Sequence, residues 1–97
     1  MINVITPEFV SWFQKIEELV KAERPNAKLE FKNAIKYIKI IEHSFGQRSV
    51  FAFINKENGD ILKPAAWNIP AKHARGNIFD EYNGLQKMTA YGPRYLR

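Results

Sequence analysis

Lys28-Leu29-Glu30-Phe31-Lys32 alternates polar and apolar residues, and Ile35-Lys36-Tyr37-Ile38-Lys39-Ile40-Ile41-Glu42-His43 follows it, dense in β-branched side chains. A period of two marks a strand with one face buried. β-Branched residues fit the pleated surface of such a strand. Phe45-Gly46-Gln47-Arg48 then reads as a turn, with a glycine free to adopt positive φ. Ser49-Val50-Phe51-Ala52-Phe53-Ile54-Asn55 is the next strand, and Lys56-Glu57-Asn58-Gly59-Asp60 contains Asn-Gly, a strong hairpin signal. Ile61-Leu62-Lys63 gives a short further strand, ended by Pro64. Short turns between neighbouring strands make an antiparallel meander, with one face packed and the other open.

The packing partner lies upstream. Thr6 is placed to cap a helix, Pro7 sits at its first position, and Glu8 favours the positive end of the helix dipole. Phe9, Trp12, Phe13, Ile16, Leu19 and Val20 recur in steps of three and four and form one apolar stripe. Pro25 disfavours helical geometry in the residue ahead of it and stops the helix. In a chain of this size the stripe is expected to pack on the sheet.

Downstream of Pro64 the pattern turns irregular. Pro70-Ala71-Lys72-His73-Ala74-Arg75-Gly76 has proline at a helix start and glycine at a helix end, which predicts one or two helical turns. In that geometry Lys72 and Arg75 point the same way. The expected fold is therefore α+β: an N-terminal amphipathic helix on a three- to four-stranded antiparallel meander, then an irregular C-terminal segment with short helical turns. A chain of 97 residues is one domain's worth, divided into a helix over about 7–23, a sheet over about 28–63 and a basic irregular segment over about 64–97.

Composition narrows the function. Apolar residues make up 45% and charged residues 26%, which argues against disorder. No cysteine is present, so disulfides, zinc–thiolate sites and thiol catalysis are excluded. Apolar runs fall short of a membrane span, and no secretory signal is visible at the start, so no membrane role is expected. The formal charge is +5 and it is uneven: residues 1–27 carry −1 and residues 28–97 carry +6. An anionic partner would meet the second part. His43 and His73 stand far apart without ligand spacing, so no metal and no cofactor are expected. No phosphate loop and no nucleophile motif occurs, so the chain reads as a non-enzyme with no catalytic residues. A nuclease built on His73 and Asp80 beside Arg75 is the weakest alternative.

Three features favour nucleic acid. They are the basic excess, the aromatic strand carrying Phe51 and Phe53, and the Trp67–Lys72–His73–Arg75 segment, where a large ring and cations lie close in sequence. Cations neutralise phosphates and release counterions, while exposed rings stack on bases. The expected contacts are Lys72 and Arg75 to phosphate, helped by Lys63, Arg94 and Arg97, with His73 in the same binding segment and with Trp67, Tyr37 and either Phe51 or Phe53 to bases. On strict alternation Val50, Ala52 and Ile54 share one face and Phe51 and Phe53 the other. Which of the two sets meets the helix is left open by the sequence. Phe51-Ala52-Phe53-Ile54 resembles part of the aromatic strand of RNA-recognition motifs, although Val50 interrupts the motif and the β-α-β-β-α-β order is absent.

Longer stretches carry a second resemblance. Ser49–Ile54, Gly59-Asp60-Ile61-Leu62-Lys63-Pro64-Ala65-Ala66-Trp67 and Pro70-Ala71-Lys72-His73-Ala74-Arg75-Gly76-Asn77-Ile78 look like a family of small, uncharacterised phage-encoded proteins. Lys36–Ile40 and the ending Tyr91-Gly92-Pro93-Arg94-Tyr95-Leu96-Arg97 are similar to it as well. Ala65-Ala66 stands where that family carries Ala-Ser. The resemblance implies a viral setting, in the host bacterial cytoplasm or associated with a virion.

The expected function is a non-catalytic binder of single-stranded nucleic acid. The alternative is a protein-interaction module, an inhibitor of a host protein or a small virion component. It would use the first helix or an open sheet edge, dock on a host or phage protein, and be capable of forming a homo-oligomer.

Overall fold

The computed structural model describes residues 6–93. Helix α1 spans Pro7–Glu23. It starts where the cap signal places it, with the Phe9 backbone N–H donating to Thr6 Oγ1 at 3.2 Å. Phe9, Trp12, Ile16 and Val20 are buried, and the polar residues between them face solvent. Trp12 Nε1 is buried without a hydrogen-bond partner, an unfavourable residue of using so large a ring in the core. The exposed side of the helix carries Glu17, Glu18 and Glu23.

Five antiparallel strands follow, β1 (Ala27–Asn33), β2 (Tyr37–Ser44), β3 (Gln47–Asn55), β4 (Asp60–Ala66) and β5 (Ile69–Asn77), in the order β1-β2-β3-β4-β5. The α+β class and the antiparallel meander are as read from the sequence; the sheet has five strands rather than three or four. The fifth is the segment from Pro70 to Gly76, expected to be helical. Its proline and glycine do not cap a helix, because backbone pairing with β4 claims the segment, with Leu62 opposite Ala74 and Ile61 opposite Gly76. Pro64 does not end β4 either. It sits inside the strand where the β4–β5 register shifts, a kind of place that tolerates a residue without a backbone N–H.

α1 packs on one face of the sheet. Ile38, Ile40, Ala52, Ile54 and Ile61 meet its stripe, joined by Ile78 and Met88 from the segment after β5. Phe31 extends this layer, edge-on to Phe9 at 5.1 Å and to Phe13 at 5.2 Å between ring centres. After β5 the chain makes turns and a two-stranded ladder, β6 (Met88–Thr89) with β7 (Gly92–Pro93). Arg24 closes the helix end over this ladder. Its guanidinium donates to Glu42 on β2 through both nitrogens and to the Ala90 carbonyl at 3.1 Å, and it lies 4.6 Å from the Tyr91 ring centre. Donating to the Glu42 carboxylate raises the Arg24 pKa above its ordinary value, against the opposing effect of burial.

One irregularity decides the aromatic strand. Ile40 pairs with Ala52 and Ile41 with Val50, so Phe51 is an extra residue in β3. This bulge breaks the strict alternation. Phe51 joins Ala52 and Ile54 in the layer under the helix, whereas Val50 lies opposite Ile41 on the other face. Phe53 stays on that other face, opposite Lys39 and Leu62.

Candidate nucleic-acid interface

The face of the sheet away from α1 is built by the alternate positions of β1, β2 and β3. Lys39 lies between Ile38 and Ile40, both under the helix, so Lys39 points outward. Register carries that assignment across the strands. Lys32 sits opposite Lys39, Glu30 opposite Ile41, which in turn faces Val50, and Lys28 opposite His43, which in turn faces Arg48. The outward positions thus hold Lys28, Lys32, Lys39 and Arg48 against one carboxylate among the described residues of these strands, Glu30. That carboxylate is engaged by His43, with Nε2 and Oε1 2.5 Å apart.

The β4–β5 hairpin folds back onto this face. Its tip holds Trp67 and Asn68, and the Lys39 ammonium donates to Asn68 Oδ1 at 2.6 Å. The Lys39 nitrogen lies 4.5 Å from the centre of the Trp67 ring, and the Arg48 guanidinium 5.4 Å from it. Between the two cations runs the cross-strand pair Ile41–Val50, and Ile41 is 0% exposed. The hairpin tip therefore closes a second, smaller apolar layer while leaving Trp67 40% exposed at its surface. A cation over a half-exposed ring contributes about 0.5–1 kcal/mol. A base stacked on the same ring is worth about 1–3 kcal/mol. Both cations can thus turn to phosphate oxygens while a base takes the ring.

The cations feel one another. The Lys39 pKa lies below its ordinary value, first because burial strips water from the ammonium and then because Lys32 and Arg48 repel it. Such a cluster attracts an anion more strongly than the same charges spread apart. Tyr37 belongs to this face too. It is half-buried, edge-on to Phe53 at 5.8 Å, with the Lys36 ammonium 5.6 Å from its ring.

The sequence-derived candidates divide. Trp67 and Tyr37 lie on the cationic face. Phe51 and Phe53 do not offer a stacking platform: they are 3% and 2% exposed, Phe51 sealed beneath the helix and Phe53 within the second layer. Lys63 is half-buried, and its ammonium donates to the Pro93 carbonyl at 3.1 Å. Lys72 and His73 are exposed on β5, and Arg75 donates to the His73 carbonyl. On an extended strand a separation of three no longer stacks two side chains, so the expected Lys72–Arg75 pairing on one side of a helical turn is not formed. Asp80 is occupied as acceptor for the backbone N–H groups of Tyr82 and Gly84, each at 2.9 Å, rather than serving His73. Arg94 and Arg97 lie outside the described residues.

Sequence reasoning missed Lys28, Lys32, Lys39 and Arg48. Their signal was present: in Lys28-Leu29-Glu30-Phe31-Lys32 and in Ile38-Lys39-Ile40 every second residue is polar, which puts the charges together on the face opposite the aliphatics. The helix stripe, the other surface considered for a partner, is buried on the sheet. Among the described residues no group of three His, Asp or Glu gathers to hold a metal ion, and no helix is long and apolar enough to cross a membrane.

Residues 1–95 match the model of a family of unknown function (DUF7717). No curated protein and no solved structure matches the chain.

Proposed function

We propose, from the premise that the chain belongs to that family of unknown function, that it binds single-stranded nucleic acid without acting on it chemically. The observation that carries this reading is Trp67, half-exposed with Lys39 and Arg48 on its ring, on a sheet face where cations outnumber carboxylates. A flat ring flanked by mobile cations matches the repeating unit of a single strand, a π-face beside an anion. A duplex hides its π-faces, which makes the single strand the better fit. Tyr37 extends the ring surface and Lys28, Lys32 and Lys36 extend the charge. Lys72 on β5 supplies a peripheral attraction, with His73 exposed beside it. The phage resemblance adds a setting, the host bacterial cytoplasm or a virion.

The test is titration of a fluorescently tagged oligonucleotide. Trp67→Ala should weaken binding about five- to 150-fold, the equivalent of one lost stack. Arg48→Gln with Lys39→Gln should weaken it for every base sequence and flatten its salt dependence. Binding that ignores all three substitutions would remove the proposal.

One observation favours a second reading, the protein-interaction module. β1 is an edge strand paired only with β2, and it exposes Phe31. An open edge can add a strand from a host or phage protein or from a second copy. A discrete oligomer in light scattering, with indifference to oligonucleotides, would select this reading.

A further inference from the structure

Phe45 is 83% exposed at the tip of the β2–β3 hairpin. Ser44 pairs with Gln47, which leaves Phe45 and Gly46 as a two-residue loop. Both have positive φ, 52° and 76°, the mark of a type I′ turn. Glycine accepts that conformation freely, but a bulky aromatic rarely does. The same chain shows the ordinary choice elsewhere: Asn83, φ 53°, followed by Gly84, φ 72°. At Phe45 the chain holds an aromatic in a strained backbone conformation, and the ring gains almost no burial in return. Strain without a packing gain points to use of the side chain outside the fold.

Its neighbours indicate what that use is. The hairpin tip stands at the end of the row Lys28–His43–Arg48. A shallow hollow of about 440 Å³ is lined by Asn26, Lys28, His43, Phe45 and Arg48. Arg48 lines this hollow and also reaches the Trp67 ring, so a strand lying across the face would meet Phe45 and Trp67 with the same cation between them.

We propose that Phe45 is a second base-stacking residue, a finger at the tip of the β2–β3 hairpin that takes an unpaired nucleobase while Lys28 and Arg48 hold the adjoining phosphates. This rests on the single-strand reading of the same face. The ligand chemistry is a nucleobase joined to a phosphate, common to DNA and RNA single strands. A rigid turn suits the task, because the ring is fixed before binding and little order has to be gained.

Phe45→Asn provides a clean test, since asparagine is a preferred residue at this turn position and the fold should be kept or stabilised. Oligonucleotides of identical sequence in DNA and RNA, with 2-aminopurine at successive positions, report stacking base by base. Phe45→Asn should weaken binding about tenfold, within the range for one lost stack. It should relieve quenching at one or two positions and leave the salt slope unchanged. Phe45→Leu keeps the apolar bulk without the π-face and should lose the same quenching. The DNA and RNA arms identify which strand is preferred; equal loss in both leaves the stacking role standing. If Phe45→Asn and Phe45→Leu bind like the unaltered chain while Arg48→Gln binds weakly, the finger is refuted and the single-strand reading survives. If the unaltered chain binds neither strand at micromolar concentration, both fall.

Discussion

The two faces of the sheet are made by the same strands and differ in almost every physical respect. Toward α1, Ile38, Ile40, Ala52 and Ile54 lie in a layer sealed by Phe9, Trp12, Ile16 and Val20. On the other side, Lys39 and Arg48 lie against a half-exposed indole, with Lys32 opposite Lys39, above a thin apolar layer of Ile41 and Phe53. The larger share of the buried apolar core lies on the first face. The second concentrates like charge, places Lys32 directly opposite Lys39, and holds the Lys39 ammonium below its ordinary pKa. Like charges directly opposite on neighbouring strands destabilise a sheet. The repulsion among these cations is a local cost that apolar burial elsewhere in the sheet offsets.

Substitutions should therefore separate stability from binding according to face. The largest effect belongs to the helix side. Trp12→Ala should lower unfolding free energy by about 3–5 kcal/mol, enough to unfold much of the population, as chemical denaturation would show. Next comes the clasp at the helix end. Glu42→Gln leaves the mostly buried Arg24 guanidinium without its carboxylate and should cost about 2–3 kcal/mol, less than a fully buried pair because water still reaches it. The melting temperature should fall while oligonucleotide affinity of the folded chain is kept.

The smallest effect is also the most diagnostic. Lys32→Glu turns the repulsive pair with Lys39 into an attractive one and should raise stability by about 0.5 kcal/mol. It should weaken oligonucleotide binding at the same time. The titration of Lys39 gives an independent check. The folded pKa is lowered, so the unfavourable contribution of Lys39 is fully present below that value and lifts as pH rises toward the ordinary ammonium range. Lys32→Glu should move the Lys39 pKa upward, visible by NMR of the side-chain Cε. A variant that loses both stability and binding would mean that the two faces are not separable in this way.

Much of the helix-side face was legible in the sequence. Thr6 and Pro7 mark the helix start because capping is local chemistry, and the Phe9–Trp12–Ile16–Val20 spacing follows from helix geometry alone. The outer face was less legible for three physical reasons. The bulge at Phe51 is a single unpaired residue, and a one-residue register shift leaves no trace in composition, yet it moves Phe51 from one face to the other. The segment from Pro70 to Gly76 carries helix-like punctuation but is decided by pairing with β4, a tertiary effect that outweighs local preference. The contact of Trp67 with Lys39 and Arg48 depends on the β4–β5 hairpin folding back, which no local pattern encodes. The lysines themselves were readable from their alternation. Closeness in sequence singles out Lys72 and Arg75 instead, and it guides closeness in space along a helix but not across strands.

Trp67 can report on its own ligand. In a Trp12→Phe background it is the remaining tryptophan, and its fluorescence can be followed as a single-stranded oligonucleotide is added at about 50 and 200 mM salt. Quenching should saturate at both concentrations. With three or four of Lys28, Lys32, Lys39 and Arg48 on phosphates, log affinity should fall against log salt with a slope of about −2 to −3. Unchanged fluorescence with no binding at micromolar protein, or binding that does not respond to salt, would contradict a cationic, ring-bearing face made to hold a single strand.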